Sequence, residues 1–203
     1  MTKKNKNRIL LASTSPYRKE LLQKLGLQFS AQSPEVDEDI LKDQLVLQKI
    51  KGAHFSEKLA LAKAMSLRNK STWVIGGDQI VWFQNQIIGK SKNARTAFQQ
   101  LKKMNGKKHQ LITSVAVVSD QKIYQINHVT NLWMKKLTDK EIKNYLKCDQ
   151  PFDCAGSYKI EKSGIALFEK IETDDFSAIQ GLPLIWLSQI LRKEGYELFK
   201  SSL

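Results

Sequence analysis

Apolar positions along the chain fall into short blocks separated by polar turns, and the period within each block predicts its element. The run Ile9-Leu10-Leu11-Ala12 predicts a short buried strand over 8–12. Ser15-Pro16 then opens a helix, the hydroxyl suited to the N-cap and the proline to the first turn. Leu21, Leu22 and Leu25 form its apolar face, and Gly26 can end it. An Ala/Leu/Lys-rich stretch at 57–67 predicts a second helix. The β-branched strand 72–75 follows and ends in Gly76-Gly77-Asp78-Gln79, placing Asp78 where a buried strand gives way to a loop. A third helix from about Asn93 carries Ala94, Ala97, Phe98, Leu101 and Met104 on one stripe and stops at Asn105-Gly106. Two longer strands, 109–118 and 123–134, read as a hairpin, the second alternating as Tyr124, Ile126, His128, Thr130, Leu132. Thr138 and Glu141 have the spacing of a capping box for a helix with Ile142, Tyr145 and Leu146. A strand at 164–168 leads through an acidic loop to Gly181-Leu182-Pro183 and a last helix ending at Gly195. Helices interleaved with strands, with one hairpin among them, predict an α/β fold with a mixed central sheet and helices packed on it.

The chain has 203 residues, 41% hydrophobic and 26% charged, the balance of one globular domain rather than a disordered tail. We expect that domain to span 8–203, folded as two lobes around a cleft and preceded by a basic, flexible N-terminus at 1–7. The apolar run after that basic stretch is too short for a signal-peptide core or a membrane span, and no later segment is long enough either. The expected setting is therefore cytoplasmic, with no membrane partner. Cys148 and Cys154 lie six positions apart, with no C-x-x-C spacing or neighbouring histidine. This argues against a zinc site or disulfide framework and suits a reducing compartment. Lysine and arginine outnumber aspartate and glutamate by 33 to 20, a formal charge of +13. That excess reflects either a basic source proteome or a polyanionic partner. Because the lysines are scattered, the first reading is the stronger, and nucleic acid is not the expected partner.

Several features carry candidate chemistry. Ser13, Ser15, Arg18 and Lys19 place hydroxyls and cations at a strand-to-helix turn, where free N–H groups and the helix dipole favour an anion. The same Ser-Pro serves equally as an ordinary cap. Neither glycine-rich nucleotide fingerprint occurs, and no G-x-S-x-G elbow or Cys/His pair points to covalent acyl chemistry. His54, His109 and His128 show no ligand spacing. Cleaving a phosphoanhydride needs a divalent cation to offset charge and a base or metal to activate water. Asp78 is the leading carboxylate for that work, read otherwise as a turn aspartate. Glu35, Asp37, Glu38 and Asp39 cluster on an early loop suited to a hard cation. A solvated acidic loop looks the same, as does the run Glu172, Asp174, Asp175. Lys63, inside its Ala-rich helix, and Lys90, after Gly89, would each reach a phosphate as a point charge or snorkel at the surface.

Together and in order, these pieces resemble the Maf-like family. Leu11-Ala-Ser-Thr-Ser-Pro-Tyr-Arg-Lys-Glu-Leu-Leu22 is similar to its N-terminal signature L-A-S-x-S-P-R-R-x-E-L-L, and Pro34-Glu-Val-Asp-Glu38 to its E-V-D-E segment. Lys63-Ala64, Gly77-Asp-Gln-Ile-Val81, Gly89-Lys90, Ala155-Gly-Ser-Tyr158 and Gly181-Leu-Pro183 follow in the family's order, covering roughly 8–195. The resemblance implies a mixed-sheet α/β fold with a cleft, related to inosine triphosphate pyrophosphatases. It implies hydrolysis of a nucleoside triphosphate to a monophosphate and pyrophosphate with Mg²⁺, Mn²⁺ or Co²⁺. By carry-over, Asp78 activates water, Ser13, Arg18, Lys63 and Lys90 hold phosphates, and Glu35 or Glu38 joins Asp78 at the metal. The dTTP/UTP branch has Arg, Thr and Gln where this chain has Tyr17, Gln79 and Glu161, which resemble instead the branch acting on 7-methyl-GTP. A methylated guanine is cationic, so Tyr17 would stack on it and Glu161 would offset its charge. Ala62, Ser91, Ile160 and Lys162 depart from the usual pattern, which leaves the expected catalytic set intact. The competing readings are a pyrophosphatase of dTTP/UTP or another modified nucleotide, and, from a different class, a nucleic-acid-binding regulator of septum formation or division. An edge strand or exposed aromatics would allow a homodimer.

Overall fold

The computed structural model describes residues 8–199; the basic stretch 1–7, expected as a flexible end, lies outside the described residues. Strands β1 (Arg8–Ala12), β2 (Ser30–Gln32), β3 (Thr72–Phe83), β4 (Gln86–Ile88), β5 (Lys108–Val118), β6 (Ile123–Met134) and β7 (Phe168–Glu172) form one sheet. Its order is β2-β1-β3-β5-β6-β7, with β4 paired to β3. Strand β1 lies parallel to β2 and β3, whereas β4 is antiparallel to β3 and β7 to β6. The sheet is therefore mixed, as expected. The helices are α1 (Pro16–Gln23), α2 (Glu38–Leu47), α3 (Ala53–Ser66), α4 (Ala94–Met104), α5 (Asp139–Asp149), α6 (Phe176–Ile179) and α7 (Leu184–Lys193).

The chain divides into two compact units, one running up to Asp78 with Thr113–His128 and everything from Asp175, the other made of Gln79–Ile112 and Val129–Asp174. In the first unit, the two-residue period of the strands sorts side chains into two layers. Ile9, Leu11, Trp73, Ile75, Val115 and Val117 pack with Leu21 and Leu22 of α1 and Leu187 and Leu191 of α7. Ala12, Val74, Ala116 and Val118 belong to a second cluster with Ala64 and Leu67. Each large side chain sealed this way contributes about 1.5–3 kcal/mol relative to exposure. The small residues of the second cluster let α3 come close to the strands.

That close approach corrects the expected end of the third strand. Strand β3 does not stop at residue 75 but continues through Gly76-Gly77-Asp78 to Phe83. The glycines serve packing rather than a turn: a Cβ on Gly76 would lie 2.3 Å from the Ala60 carbonyl oxygen and 2.6 Å from the Ala64 nitrogen. Asp78 therefore projects from a strand, 8% exposed. The early acids are corrected too. Asp37 caps α2 by accepting from the Asp39 and Ile40 amides, so Glu38 and Asp39 occupy a helical first turn, where negative charge complements the dipole. Helix α3 starts at Ala53, four residues before its expected start.

In the second unit, α4 and α5 form where predicted, with Asn93 as the N-cap of one and the full Thr138–Glu141 capping box on the other. The expected strand at 164–168 is instead a 3₁₀ turn, Ser163–Leu167, and β7 begins at Phe168. The Gly164 amide donates to both the Lys159 carbonyl and the buried Asp149 carboxylate, which curls the backbone away from an extended path. His109 is buried among Tyr158 and Phe168, its Nε2 3.2 Å from the Tyr158 hydroxyl. Burial lowers its pKa to about 4. An unfolded chain protonates this ring near pH 6.5, so below that value the unfolded state binds a proton the folded state refuses until about pH 4. Stability is thus expected to fall by roughly 3 kcal/mol as pH drops through that window. Urea unfolding of His109→Phe should lose that component of the pH dependence; an unchanged pH profile would remove His109 as its source.

Candidate active site

The turn after β1 supplies the first anchor. Ser13 is buried, and its Oγ accepts from the Ser15 amide at 3.2 Å and from Arg18 Nη1 at 3.4 Å. Ser15 caps α1, so the first helical turn delivers Arg18 back toward the strand end it started from. Arg18 Nε donates to the Gly181 carbonyl at 3.2 Å. Burial lowers the Arg18 pKa, while the Asp78 and Glu38 carboxylates work to hold the proton on. A guanidinium stays charged throughout the physiological range in any case.

Helix α3 supplies the second cation. Lys63 is 6% exposed, and its Nζ lies 2.9 Å from Asp78 Oδ1 and 3.0 Å from Glu38 Oε2. Strand β3 provides Asp78 and the first turn of α2 provides Glu38, so three elements converge on one ammonium. Burial works against the Glu38 charge, but Lys63, with help from Lys42, outweighs it and holds this carboxyl below its usual value. Arg18, Glu38, Lys63 and Asp78 thus form one electrostatically coupled group of buried and half-buried charges in the first unit, with the Ser13 hydroxyl bonded to Arg18. Glu35 stands apart from it: exposed, with its carboxylate accepting from Gln32 at 3.4 Å. Tyr17 is half-buried in the first turn of α1 beside Arg18 in sequence.

The second unit joins two of the other motifs. Lys90 forms an antiparallel bridge with Ala155, and the Gly156 amide donates to the Gly89 carbonyl at 3.4 Å. Lys90 is exposed and Glu161 is exposed; Gln79, next to Asp78 on β3, is half-buried. A groove of about 820 Å³ in this unit, lined among others by Phe98, Leu146 and Phe152, contains none of the predicted site residues.

The Maf-like protein family pattern matches residues 8–194. The chain belongs to the Maf family. Among Maf relatives, a 7-methyl-GTP pyrophosphatase of Bdellovibrio bacteriovorus is 50% identical over 90% of this chain and 95% of its own. One of Aliivibrio fischeri is 38% identical over 93% and 97%, and a dTTP/UTP pyrophosphatase of Aquifex aeolicus is 35% identical over 92% and 95%. The Ham1 protein of Staphylococcus aureus gives a loose structural likeness, with a TM-score of 0.48 at 11% identity over 92% of this chain and 99% of that one.

Two contacts, one in each unit, carry no signal as isolated letters. Gly181, within the Gly-Leu-Pro motif, acts through its backbone carbonyl on Arg18, a contact no side-chain pattern announces. Gln100 sits on α4, its amide donating to the Gly89 carbonyl at 3.2 Å and its oxygen accepting from Ser157 at 2.6 Å. It ties the Gly89-Lys90 and Ala155-to-Tyr158 segments together, and along the sequence it reads only as a polar helical residue.

Proposed function

We propose that this Maf protein is a nucleoside triphosphate pyrophosphatase that hydrolyses 7-methyl-GTP to 7-methyl-GMP and pyrophosphate, removing a modified nucleotide from the cytoplasmic pool. The observation that carries the reaction class is the buried Lys63 ammonium shared by Glu38 and Asp78, next to the Ser13–Arg18 pair. The base assignment is supported by relatives bearing that substrate's name and by Tyr17, Gln79 and Glu161.

Charge decides what else the site needs. The two cations, Arg18 and Lys63, are cancelled by the two carboxylates, so the group as it stands has little net pull on a triphosphate. At an effective dielectric near 20, one unit charge pair at 4 Å is worth about 4 kcal/mol, so the missing positive charge matters. Glu38 and Asp78, both within 3.0 Å of the Lys63 ammonium, bring two hard oxygen donors to one neighbourhood, a donor type that suits Mg²⁺, Mn²⁺ or Co²⁺. Among the described residues no group of three or more acids, histidines or cysteines forms a metal site. Two carboxylates with phosphate oxygens and water are the usual set for Mg²⁺. When bound, such an ion offsets phosphate charge and polarises the phosphoryl oxygens. Arg18, Ser13 and Lys63 bind and orient the phosphates, and Lys90 keeps the phosphate-binding role that its Gly-Lys motif alone suggests. Asp78, engaged by Lys63 through Oδ1, offers Oδ2 to take the proton of a water whose oxygen bonds to the α-phosphorus. The bridging P–O bond breaks, and pyrophosphate leaves with its electrons. Among the described residues no helix is long and apolar enough to cross a membrane, and Cys148 and Cys154 are free thiols, in keeping with a cytoplasmic setting.

Purified protein given each of the three metals is expected to release pyrophosphate from 7-methyl-GTP faster than from GTP, dTTP or UTP, and to stop when the metal is chelated. Preference for a pyrimidine, as the Aquifex relative's name suggests, would replace the base assignment. No pyrophosphate from any triphosphate would overturn the reaction class in favour of polyanion binding. In the same assay Glu161→Ala should lower kcat/KM for 7-methyl-GTP by about two- to fivefold, the worth of one solvent-screened charge contact. Equal losses on every nucleotide would count against a role for Glu161 at the base.

A further inference from the structure

The Gly-Leu-Pro motif has a place in the site that its residue types do not explain. Gly181 sits at φ +119°, a conformation L side chains rarely adopt, and a Cβ there would lie 3.3 Å from both Cγ and Nε of Arg18. Its carbonyl accepts from that same Nε. Gly181 therefore touches Arg18 twice, with an acceptor that holds the guanidinium at one corner and with an empty space that lets the side chain lie flat against the turn. Ser13 holds the opposite corner through Nη1. These two held nitrogens, with the covalently attached Cδ as the third point, define the plane of a rigid fork and give its remaining N–H groups a set direction.

The turn itself is anchored from both sides. The Gly181 amide donates to the Ala178 carbonyl, which also accepts from Thr113 Oγ1 at 2.8 Å. Helix α7 begins after Pro183 without a side-chain cap of its own. Its first amides are taken instead by residues upstream of the turn: Leu184 N by Ser177 Oγ and Ile185 N by Asp175 Oδ2, each at 2.8 Å. Asp175 Oδ1 in turn accepts from the Ser177 amide at 2.9 Å and from the Ser177 hydroxyl. Leu182 is fully buried between these anchors. Capping alone would need only Asp175 and Ser177; it would not place a glycine carbonyl on an arginine 163 residues earlier.

We propose that Gly181 is a positioning residue for phosphate binding, setting the plane of the Arg18 guanidinium, with Asp175 and Ser177 holding the turn that presents it. This rests on the reading of Arg18 as a phosphate-binding cation. A double-mutant cycle tests it, because a residue that acts through Arg18 loses its effect once Arg18 is gone. Gly181→Ala is expected to lower kcat/KM for the preferred triphosphate by about 10- to 100-fold in the wild-type background, as a misplacement of order 1 Å does, and to change it less than about threefold in the Arg18→Ala background. The Kd for inorganic tripolyphosphate, measured by calorimetry with metal present, should show the same dependence on Arg18. Equal losses in both backgrounds, or no loss in either, would overturn the proposal. Should Gly181→Ala fail to fold, Ser177→Ala, which frees the Leu184 amide but keeps the glycine, takes its place in the cycle with the same two outcomes. A wild-type protein that binds tripolyphosphate without releasing pyrophosphate from any nucleotide would sink the enzymatic reading, and the Kd cycle would still decide the role of Gly181. A wild type that does not bind tripolyphosphate would overturn the positioning role.

Discussion

Asp78→Asn is expected to reduce pyrophosphate release by roughly 10²- to 10⁴-fold, the range associated with loss of a general base. The substitution changes little besides charge and basicity. Asparagine has the same shape, and its amide oxygen can still accept from the Lys63 ammonium that lies 2.9 Å from Oδ1. Lys63 also keeps Glu38 at 3.0 Å, so the buried ammonium is not stranded without a counter-charge. The melting temperature should therefore stay within a few degrees of wild type while turnover collapses. If Asp78 only fixed Lys63, the loss would fall mainly on KM. If it takes the proton, the loss falls on kcat with KM little changed. Turnover like that of the wild type would remove Asp78 from the chemistry altogether.

Gly76→Ala should be the most damaging single methyl in the first unit. The added Cβ meets the Ala60 carbonyl oxygen at 2.3 Å, the Ala64 nitrogen at 2.6 Å and the Ala64 Cβ at 2.9 Å. These are mostly backbone atoms of α3, and they cannot step aside as a side chain can. We expect a cost of at least about 3 kcal/mol, the upper end for overpacking, read as a lower urea midpoint. Gly77→Ala is the matched control. The three atoms nearest its Cβ all belong to the Arg18 side chain, the first at 3.2 Å rather than 2.3 Å, so its midpoint should fall far less. Equal midpoints for Gly76→Ala and wild type would mean that α3 does not lie so close to β3.

The contrast between adjacent glycines shows where reading the sequence alone stops. Two glycines before an aspartate look like the end of a strand, because glycine is most often met where the chain turns. Here the first makes room for a helix backbone that arrives from elsewhere in the chain, and no local rule contains that information. The acidic stretch fails for a related reason. Asp37 reads as one of four loop acids, yet its carboxylate caps α2, and the cap turns Glu38 toward Lys63 while Glu35 stays at the surface beside Gln32. Elements whose signals are local were legible: the Ser15-Pro16 start of α1, the Thr138–Glu141 box and the apolar stripe of α4 all stand where periodicity and capping placed them. The strand expected at 164–168 was not, since the hydrogen bonds that curl it come from Asp149 and Lys159. Within the candidate site, side chains could be named from motif order. Which of them share one ammonium, and that a backbone carbonyl takes part, could not.

The parallel pairing of β1 with β3 sets Ala12 opposite Gly76. Ser13 and Asp78 follow within two residues of that pair, so the spacing between the turn after β1 and the Asp78 carboxylate is measured off by the ladder of main-chain hydrogen bonds. A slip of one residue would send Asp78 to the opposite face of the sheet. The distance from Ser13 to Asp78 is in this sense a property of strand alignment, and no substitution of either side chain could restore it once that alignment was lost.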